Sequence, residues 1–145
     1  MNVLISACLL GQYCRYDGQV KGYRQVQALL GRDDIHLIPV CPEQAGGLAT
    51  PRPPAERQGE RQGERVVTAD GTDVTAQYRR GAEAALYLAR LFHCTKAILK
   101  EKSPSCGHGQ IYDGTFSRTL TAGDGVTAAL LRAEGLEIVG ESDLL

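Results

Sequence analysis

The chain has 145 residues, of which 43% are apolar and 23% are charged, a composition typical of a globular protein with a core of its own. Its formal net charge of -1 excludes a global basic field that would attract a nucleic-acid polymer or an anionic membrane. Because this length is close to the commonest for one domain, we expect a single domain over residues 1–145.

The amino-terminal residues and the cysteines predict the cellular compartment. No basic segment follows Met1, and the apolar run from Val3 stops at Gly11, so we expect no secretory signal. No stretch approaches the ~18 apolar residues of a membrane span. We therefore expect a cytoplasmic protein with reduced thiols, in which an odd number of cysteines favours metal binding or thiol chemistry over a disulfide framework. The five cysteines are Cys8, Cys14, Cys41, Cys94 and Cys106.

The first third of the sequence predicts two buried strands separated by a short helix. Residues 2–7 are an aliphatic run typical of a buried strand, and a loop bounded by glycines follows at 11–18. A helix is predicted over residues 21–30, where a glycine ends it, and a second strand over 35–40. Residues 41–54 contain four prolines and two glycines, which favours irregular structure.

The middle of the sequence predicts an exposed hairpin and the longest helix. A tandem RQGE repeat at residues 57–64 is charged and lacks periodicity, so we expect an exposed loop or hairpin with 65–68 as its returning arm. A helix is predicted over residues 73–92, with Asp70 or Thr72 as its N-cap. Apolar residues at three- and four-residue spacing form one stripe along this helix: Val74, Tyr78, Ala82, Ala85, Ala89 and Phe92.

The remaining third predicts two more strands. A strand over residues 95–99 precedes a loop over 100–109, and residues 111–119 form a short hairpin around an Asp-Gly pair. A helix over 126–133 leads to a last strand over 136–139. This alternation of strands and helices predicts an α/β fold, a single Rossmann-like three-layer domain with a mostly parallel sheet and a small hairpin excursion.

Three cysteines follow three successive predicted strands of the sheet. Cys8 follows the first strand, Cys41 follows the second, and Cys106 lies in the loop after the third. Because the carboxyl ends of parallel strands meet at one edge, where ligands bind, we expect these thiols to lie close together. Glycines and prolines beside them allow close approach of the backbone to a ligand and stiffen the loops.

Three thiolates at one site leave several kinds of chemistry open. Soft sulfur ligands favour zinc, copper(I) or an iron–sulfur cluster. Structural zinc commonly uses four ligands with paired Cys-x-x-Cys spacing, which this sequence lacks, whereas a [4Fe–4S] cluster on three cysteines keeps one iron open as a Lewis acid. The residues alone do not choose between a cluster, zinc and thiol redox chemistry, although a redox protein has no Cys-x-x-Cys pair to support it.

The motifs around these cysteines resemble the TudS-type thiouracil desulfidase family, formerly a domain of unknown function. The likeness extends over nearly the whole chain, and three motifs in the right order make it specific. They are SACLLGQYCRYDG at residues 6–18, PVCPEQAGGLATPRPPAE at 39–56 and LKEKSPSCG at 99–107, joined by DGTDVT at 70–75.

The resemblance implies an enzyme that depends on a [4Fe–4S] cluster bound by Cys8, Cys41 and Cys106. In that family the unique iron takes the sulfur of thiouracil or 4-thiouridine monophosphate, which becomes uracil or uridine monophosphate plus sulfide. The reaction is hydrolytic and non-redox overall. The implied partner is therefore a small thiolated pyrimidine base or nucleotide, and neither a nucleic-acid polymer nor a membrane is expected.

Hydrolysis requires an activated water and a proton path, and three residues beside the motif cysteines are catalytic candidates. Glu43 is the first candidate for general acid/base, since it lies two residues after Cys41. Ser103 is the second, as a hydrogen-bonding or proton-relaying group. Lys102 is the third, as a cation that holds negative charge on the substrate or cluster.

Other residues near the motifs carry weaker expectations. Cys14 is either a spare thiol of the site or a packed cysteine, and Cys94 is expected in the core. Arg52 lies in a rigid segment and is a candidate bidentate fork for a phosphate. His108 is the one histidine near the site, and residues 15–18 are expected to form a turn held by an Arg–Asp contact.

A second hypothesis of a different class is also compatible with this sequence. The chain would be a non-catalytic iron–sulfur or metal-binding module that delivers iron or sulfide to a partner. Substitution of Glu43 separates the two hypotheses, because an enzyme loses turnover while a carrier is indifferent.

Overall fold

A computed structural model describes residues 1–58 and 65–144. Its strands are β1 (Asn2–Ser6), β2 (His36–Val40), β3 (Ala55–Gln58), β4 (Arg65–Thr68), β5 (Lys96–Leu99), β6 (Gln110–Tyr112), β7 (Leu120–Ala122) and β8 (Glu137–Gly140). Its helices are α1 (Arg24–Leu30), α2 (Pro42–Ala45), α3 (Thr75–Leu91) and α4 (Val126–Ala133), with 3₁₀ turns at Ala7–Leu10 and Glu141–Leu144.

The central sheet contains four parallel strands in the order β2-β1-β5-β8. The chain runs from β1 outward to β2 and then returns past β1 to β5, so the direction of winding reverses between β1 and β5. Such a reversal opens a crevice at the carboxyl ends of the strands. The loops that carry the motif cysteines leave the sheet at this edge.

Helices cover both faces of the sheet, which confirms the predicted α/β fold with a mostly parallel sheet. One face packs Leu4 and Leu99 against Ala85 of α3 and Leu131 of α4. The opposite face packs alternate residues of the same strands, such as Ile5, against α1 and the two 3₁₀ turns. Two antiparallel hairpins, β3-β4 and β6-β7, lie outside the sheet.

Residues 41–54 hold one short helix of four residues, α2, whose first turn begins at a proline, and the rest of this segment is irregular as expected. Two details predicted for α3 were wrong. Neither Asp70 nor Thr72 is the N-cap of α3, because Val74 occupies that position while Asp70 closes a turn with the two threonines around it. Phe92 ends the predicted stripe but is 38% exposed, since α3 stops one residue earlier.

The two predicted hairpins differ from their expected forms. The strands β3 and β4 pair as the RQGE hypothesis requires, whereas residues 59–64 of the repeat lie outside the described residues. In the second hairpin the Asp-Gly pair is not a two-residue turn, because residues 113–119 form a longer connection between β6 and β7. In the described parts of the chain, no helix is both long and apolar enough to cross a membrane.

Two glycines allow α2 to approach α3 at backbone contact distance. A Cβ on Gly46 would overlap the carbonyl oxygen of Gln77, and a Cβ on Gly81 would overlap that of Pro42. Only glycine fits at such a crossing. The crossing fixes α2, and with it the residue before it, Cys41, against the helix that carries Tyr78.

Candidate active site

A cavity of about 590 Å³ lies at the carboxyl edge of the sheet. Its volume is within the range of small-ligand pockets, about 300–1,000 Å³. The predicted ligand and catalytic residues all line it: Cys8, Cys41, Cys106, Glu43, Lys102 and Ser103. Further cations and rings line the same cavity, including Arg15, Lys21, Arg52, Lys100, Arg118, Tyr16, Tyr78, Tyr112 and Phe116.

Cys8 and Cys41 share a third thiol, that of Cys14. Cys8 lies in the 3₁₀ turn after β1, and Cys41 is the N-cap residue of α2. The Cys14 thiol is 2% exposed and hydrogen-bonds to the thiols of both. These bonds lower the pKa of Cys8, lower that of Cys41 to about 7, and raise that of Cys14. The backbone carbonyl of Cys14 also accepts a bond from the Cys41 thiol at 3.7 Å.

Cys106 enters the cavity from a tightly folded loop. Ser103 Oγ accepts the backbone N–H groups of Ser105 and Cys106, each at 3.1 Å. A Cβ on Gly125 would overlap the Ser105 carbonyl, so this glycine allows the start of α4 to close against the loop. Burial raises the pKa of the Cys106 thiol, which the Ser6 side chain contacts from the end of β1. The loop therefore holds the third motif thiol in a fixed position between two strands.

Glu43 is anchored through one oxygen of its carboxylate. Its Oε2 accepts Arg52 Nη2 at 3.0 Å and the Tyr78 hydroxyl at 3.2 Å. The side chains of Arg52 and Glu43 are 6% and 14% exposed, so this ion pair is well shielded from water. Burial and the charge of Glu43 raise the pKa of Tyr78, which keeps its hydroxyl a donor.

Arg52 hydrogen-bonds to three segments of the site. The expectation that it is a bidentate fork for a phosphate was wrong, because both of its terminal nitrogens donate to protein acceptors. Its Nη2 also donates to the Cys14 carbonyl at 2.8 Å, and its Nη1 donates to Ala49 O at 3.2 Å and Thr50 Oγ1 at 3.0 Å. Arg52 and Tyr78 also line a second cavity of about 150 Å³, so they stand between the two cavities.

Lys100 is a cation of the cavity that the sequence prediction missed. Its Nζ lies 2.8 Å from Glu141 Oε2, and the other oxygen of Glu141 accepts the Glu101 N–H at 2.7 Å. Burial alone would lower the pKa of Lys100, but the bond and charge of Glu141 outweigh it and raise the pKa. The positive charge of Lys100 also favours the thiolate of Cys8.

Lys102 and Ser103 have different environments in the cavity wall. Lys102 is exposed at the rim and has a positive φ of 68°, and its backbone forms a β-bridge with Ile111 of β6. Ser103 is half-buried, and both of its bonds use the hydroxyl oxygen as an acceptor, which leaves the hydroxyl proton for another partner. The catalytic roles of both residues stay predictions.

The outer wall of the cavity comes from outside the sheet. Glu56 of β3 is buried, and its Oε1 accepts the N–H groups of Gly114 at 2.9 Å and Phe116 at 3.1 Å. Gln58 donates to the Gly114 carbonyl at 2.8 Å. These bonds hold the 113–119 connection so that Phe116 and Arg118 face the cavity.

The other predicted residues lie where the sequence places them or away from the cavity. Arg15 and Asp17 form the expected turn through two bonds of 3.1 Å. Cys94 is buried beyond the opposite end of the sheet, before β5. His108 contacts Asp143 at 3.4 Å, and it is absent from the residues that line the cavity.

The donor set fits an iron–sulfur cluster better than it fits a single ion. All five cysteines are free, and four of them line one cavity. Within residues 1–58 and 65–144, no three His, Cys, Asp or Glu side chains converge closely enough to hold one metal ion. A cubane places its thiolates on separate irons, so its ligands need only surround a shared space. Cys8, Cys41 and Cys106 line one such space.

The missed residues carried weak signals in the sequence. Tyr78 looks like one more apolar residue of the α3 stripe, but a buried tyrosine hydroxyl requires a partner. Arg52 lies between Pro51 and Pro53, and nothing local reveals its link to Glu43. Phe116 and Arg118 lie in a connection whose path depends on Glu56, nearly 60 residues earlier, which no local pattern encodes.

Comparisons with known proteins agree over almost the full length. The family model of 2-thiouracil desulfurase matches residues 3–143. A solved structure of the [4Fe–4S]-dependent thiouracil desulfidase TudS superposes with a TM-score of 0.87 at 52% identity, covering 99% of this chain and 92% of that one. The uncharacterized protein YbbK of Bacillus subtilis strain 168 is 43% identical, over 98% of this chain and 97% of its own.

Proposed function

Because this chain belongs to the 2-thiouracil desulfurase family, we propose that it is a [4Fe–4S]-dependent thiouracil desulfidase. It converts the thiocarbonyl of a thiolated pyrimidine to a carbonyl: the ring C=S and one water give C=O and hydrogen sulfide, with no net change in oxidation state. The substrate is a free base or its nucleotide, thiouracil or 4-thiouridine monophosphate.

One observation carries the proposal. Three cysteines from three separate strand ends line a single cavity, and an anchored carboxylate lines the same cavity. The thiols supply soft ligands for a cluster, and the carboxylate supplies a proton acceptor for water. A cofactor site and a hydrolytic group thus share one small-molecule pocket.

We propose that Cys8, Cys41 and Cys106 hold the cluster. When bound through three cysteines, it supplies a thiophilic Lewis-acid iron that attracts the sulfur of the substrate. The lowered pKa of Cys8 and of Cys41 supports their ligand role, since a thiolate is the form that binds metal. The Ser103 hydroxyl fixes the loop that carries the third ligand.

Glu43 is the general base in this proposal. Its Oε2 is engaged by Arg52 and Tyr78, and no described residue hydrogen-bonds to Oε1. Oε1 takes a proton from the water that attacks the thiocarbonyl carbon, and the carboxyl group returns a proton to the departing sulfur.

The other two catalytic candidates act on the charge of the substrate and on proton transfer. Lys102 at the rim holds the negative charge of the substrate, and the Ser103 hydroxyl donates its proton toward the reacting groups. The five free thiols and an oxygen-sensitive cofactor support action in the reducing cytoplasm.

The test is turnover by anaerobically reconstituted protein. The wild type should contain about four irons and four labile sulfides per chain, absorb at roughly 400 nm, and release sulfide from thiouracil. Glu43→Gln should keep the cluster and lower kcat about 10²- to 10⁴-fold. Glu83→Gln is the matched control, because Glu83 is exposed on α3.

Two outcomes would contradict the proposal. Cluster-loaded wild type that releases no sulfide would exclude a thiouracil desulfidase. Glu43→Gln with unchanged kcat would remove Glu43 as the base, and a protein that merely delivers iron or sulfide would show this indifference.

A further inference from the structure

One nitrogen of the Arg52 guanidinium has no hydrogen-bond acceptor among the described residues. Both terminal nitrogens donate to protein acceptors, but Nε is fully buried and has no hydrogen-bond partner among the described residues. A buried donor without an acceptor destabilises a fold, so such a group is retained where something else supplies the acceptor. Arg52 lines the active-site cavity, and its Nε lies behind the surface that solvent reaches.

The Glu43 carboxylate likewise uses only one of its two oxygens for hydrogen bonds to the described residues. Arg52 and Tyr78 both bond to Oε2, which fixes the rotamer of the carboxylate and leaves Oε1 without a hydrogen-bond partner among the described residues. The pair is shielded, because Arg52 is 6% and Glu43 is 14% exposed. Each of the two charged groups thus keeps one unused position, an N–H donor on Arg52 and an acceptor oxygen on Glu43.

We propose that Arg52 is a positioning residue for the hydrolytic water. It holds Glu43 by Oε2, together with Tyr78, so that Oε1 keeps the orientation in which it takes a proton from that water. This inference rests on the proposed role of Glu43 as general base. Holding a catalytic group in the reactive orientation raises the reaction rate, and a displacement of about 1 Å can lower that rate about 10²-fold.

Lysine cannot replace arginine in this arrangement. It keeps the positive charge but lacks the planar fork and the Nε–H group. Arg52→Lys should therefore lower kcat about 10- to 100-fold, keep KM within about twofold, and keep iron and labile sulfide at wild-type levels. Tyr78→Phe removes one bond to the same oxygen and should lower kcat about 3- to 10-fold.

A double-substitution cycle tests whether Arg52 acts through Glu43. In the Glu43→Gln background, Arg52→Lys should lower kcat by no more than about twofold, because residues that act as a unit are non-additive. Arg80→Lys is the matched control: Arg80 Nη1 also donates to a carbonyl, Gly46 O at 3.1 Å, but Arg80 does not line the cavity. It should leave kcat unchanged.

Four outcomes would overturn the inference. They are wild-type kcat in Arg52→Lys, an equal loss in the wild-type and Glu43→Gln backgrounds, a loss confined to KM, and a loss of iron that accounts for the fall in rate. If Arg52→Lys does not fold, Tyr78→Phe decides by the same cycle. An unchanged kcat in Glu43→Gln alone would instead refute the proposed base.

Discussion

Four thiols meet in the cavity, but the proposed cofactor uses three of them. Cys14 bonds to Cys8 and Cys41, and its backbone carbonyl accepts Arg52. A protonated thiol next to ligand sulfurs orients them in the way that outer groups orient the ligands of metal sites.

The ligand set can be tested by removing one thiol at a time. After anaerobic reconstitution, alanine at position 8, 41 or 106 should lower the iron content at least about fivefold, because two cysteines do not retain a cubane. Cys14→Ala and Cys94→Ala should keep wild-type iron. Loss of iron in Cys14→Ala together with retention in one of the first three would reassign the ligands.

Ser103 has a structural role that can be separated from its proposed chemical one. Ser103→Ala removes the acceptor of two backbone N–H groups and should lower the free energy of unfolding by about 1–2 kcal/mol in urea titrations of the cluster-free protein. Ser117→Ala, on an exposed residue, should change it by less than about 0.5 kcal/mol. Equal stability of the two variants would exclude the loop-holding role.

At the scale of secondary-structure elements, the sequence predicted the positions of the strands more accurately than the helix caps and the connections. Aliphatic runs located the four sheet strands within one residue at each end. The Asp-Gly pair misled because the 113–119 connection is held by Glu56 from another hairpin, a tertiary bond that outweighs local turn preference. The start of α3 shifted for a similar reason, since Val66 on β4 donates its N–H to Thr75 Oγ1.

The crossing of α2 and α3 depends on the missing Cβ of Gly81. Alanine there gains up to about 1 kcal/mol of helix propensity, but its Cβ would overlap the Pro42 carbonyl. Overpacking of about 1–3 kcal/mol should exceed that gain, so Gly81→Ala should destabilise the protein in urea unfolding. It should also lower iron retention, because Pro42 follows Cys41.

Gly31→Ala is the control for this substitution. A Cβ there would lie 4.0 Å from the nearest neighbouring atom, the Ala28 carbonyl oxygen, at the end of α1. Stability within about 0.5 kcal/mol of wild type and full iron content are expected. A Gly81→Ala protein as stable as this control would show that the helices can separate without cost.

On the scale of the whole molecule, the last residues of the chain brace the active site. Glu141 reaches from the turn after β8 to Lys100 and to the backbone of Glu101, both in the cavity wall. Glu141→Gln removes the charge that balances Lys100 and should lower the free energy of unfolding by about 1–3 kcal/mol. Asp34→Asn, in an exposed pair with Arg32, is the matched control and should leave the free energy of unfolding unchanged.

Topology explains why the meeting of the cysteines was predictable and the contacts that hold the catalytic carboxylate were not. A parallel sheet brings its strand ends to one edge, so Cys8, Cys41 and Cys106 were expected together from their places in the sequence alone. The Arg52–Glu43–Tyr78 contacts join a loop and two helices through side-chain geometry, which no spacing rule contains. The assignment of residues 1–145 to one domain stays a prediction.

The two halves of the cavity wall come from different parts of the fold, and the hydrogen bonds from Glu56 to the 113–119 connection hold the outer half in place. Strand ends build the half that carries the thiols, while two hairpins build the half that carries Phe116 and Arg118. Insertions or exchanges in those hairpins can thus alter which ring is admitted without touching the cofactor. Homologues with other hairpins are expected to retain the metal chemistry and differ in the range of heterocycles they accept.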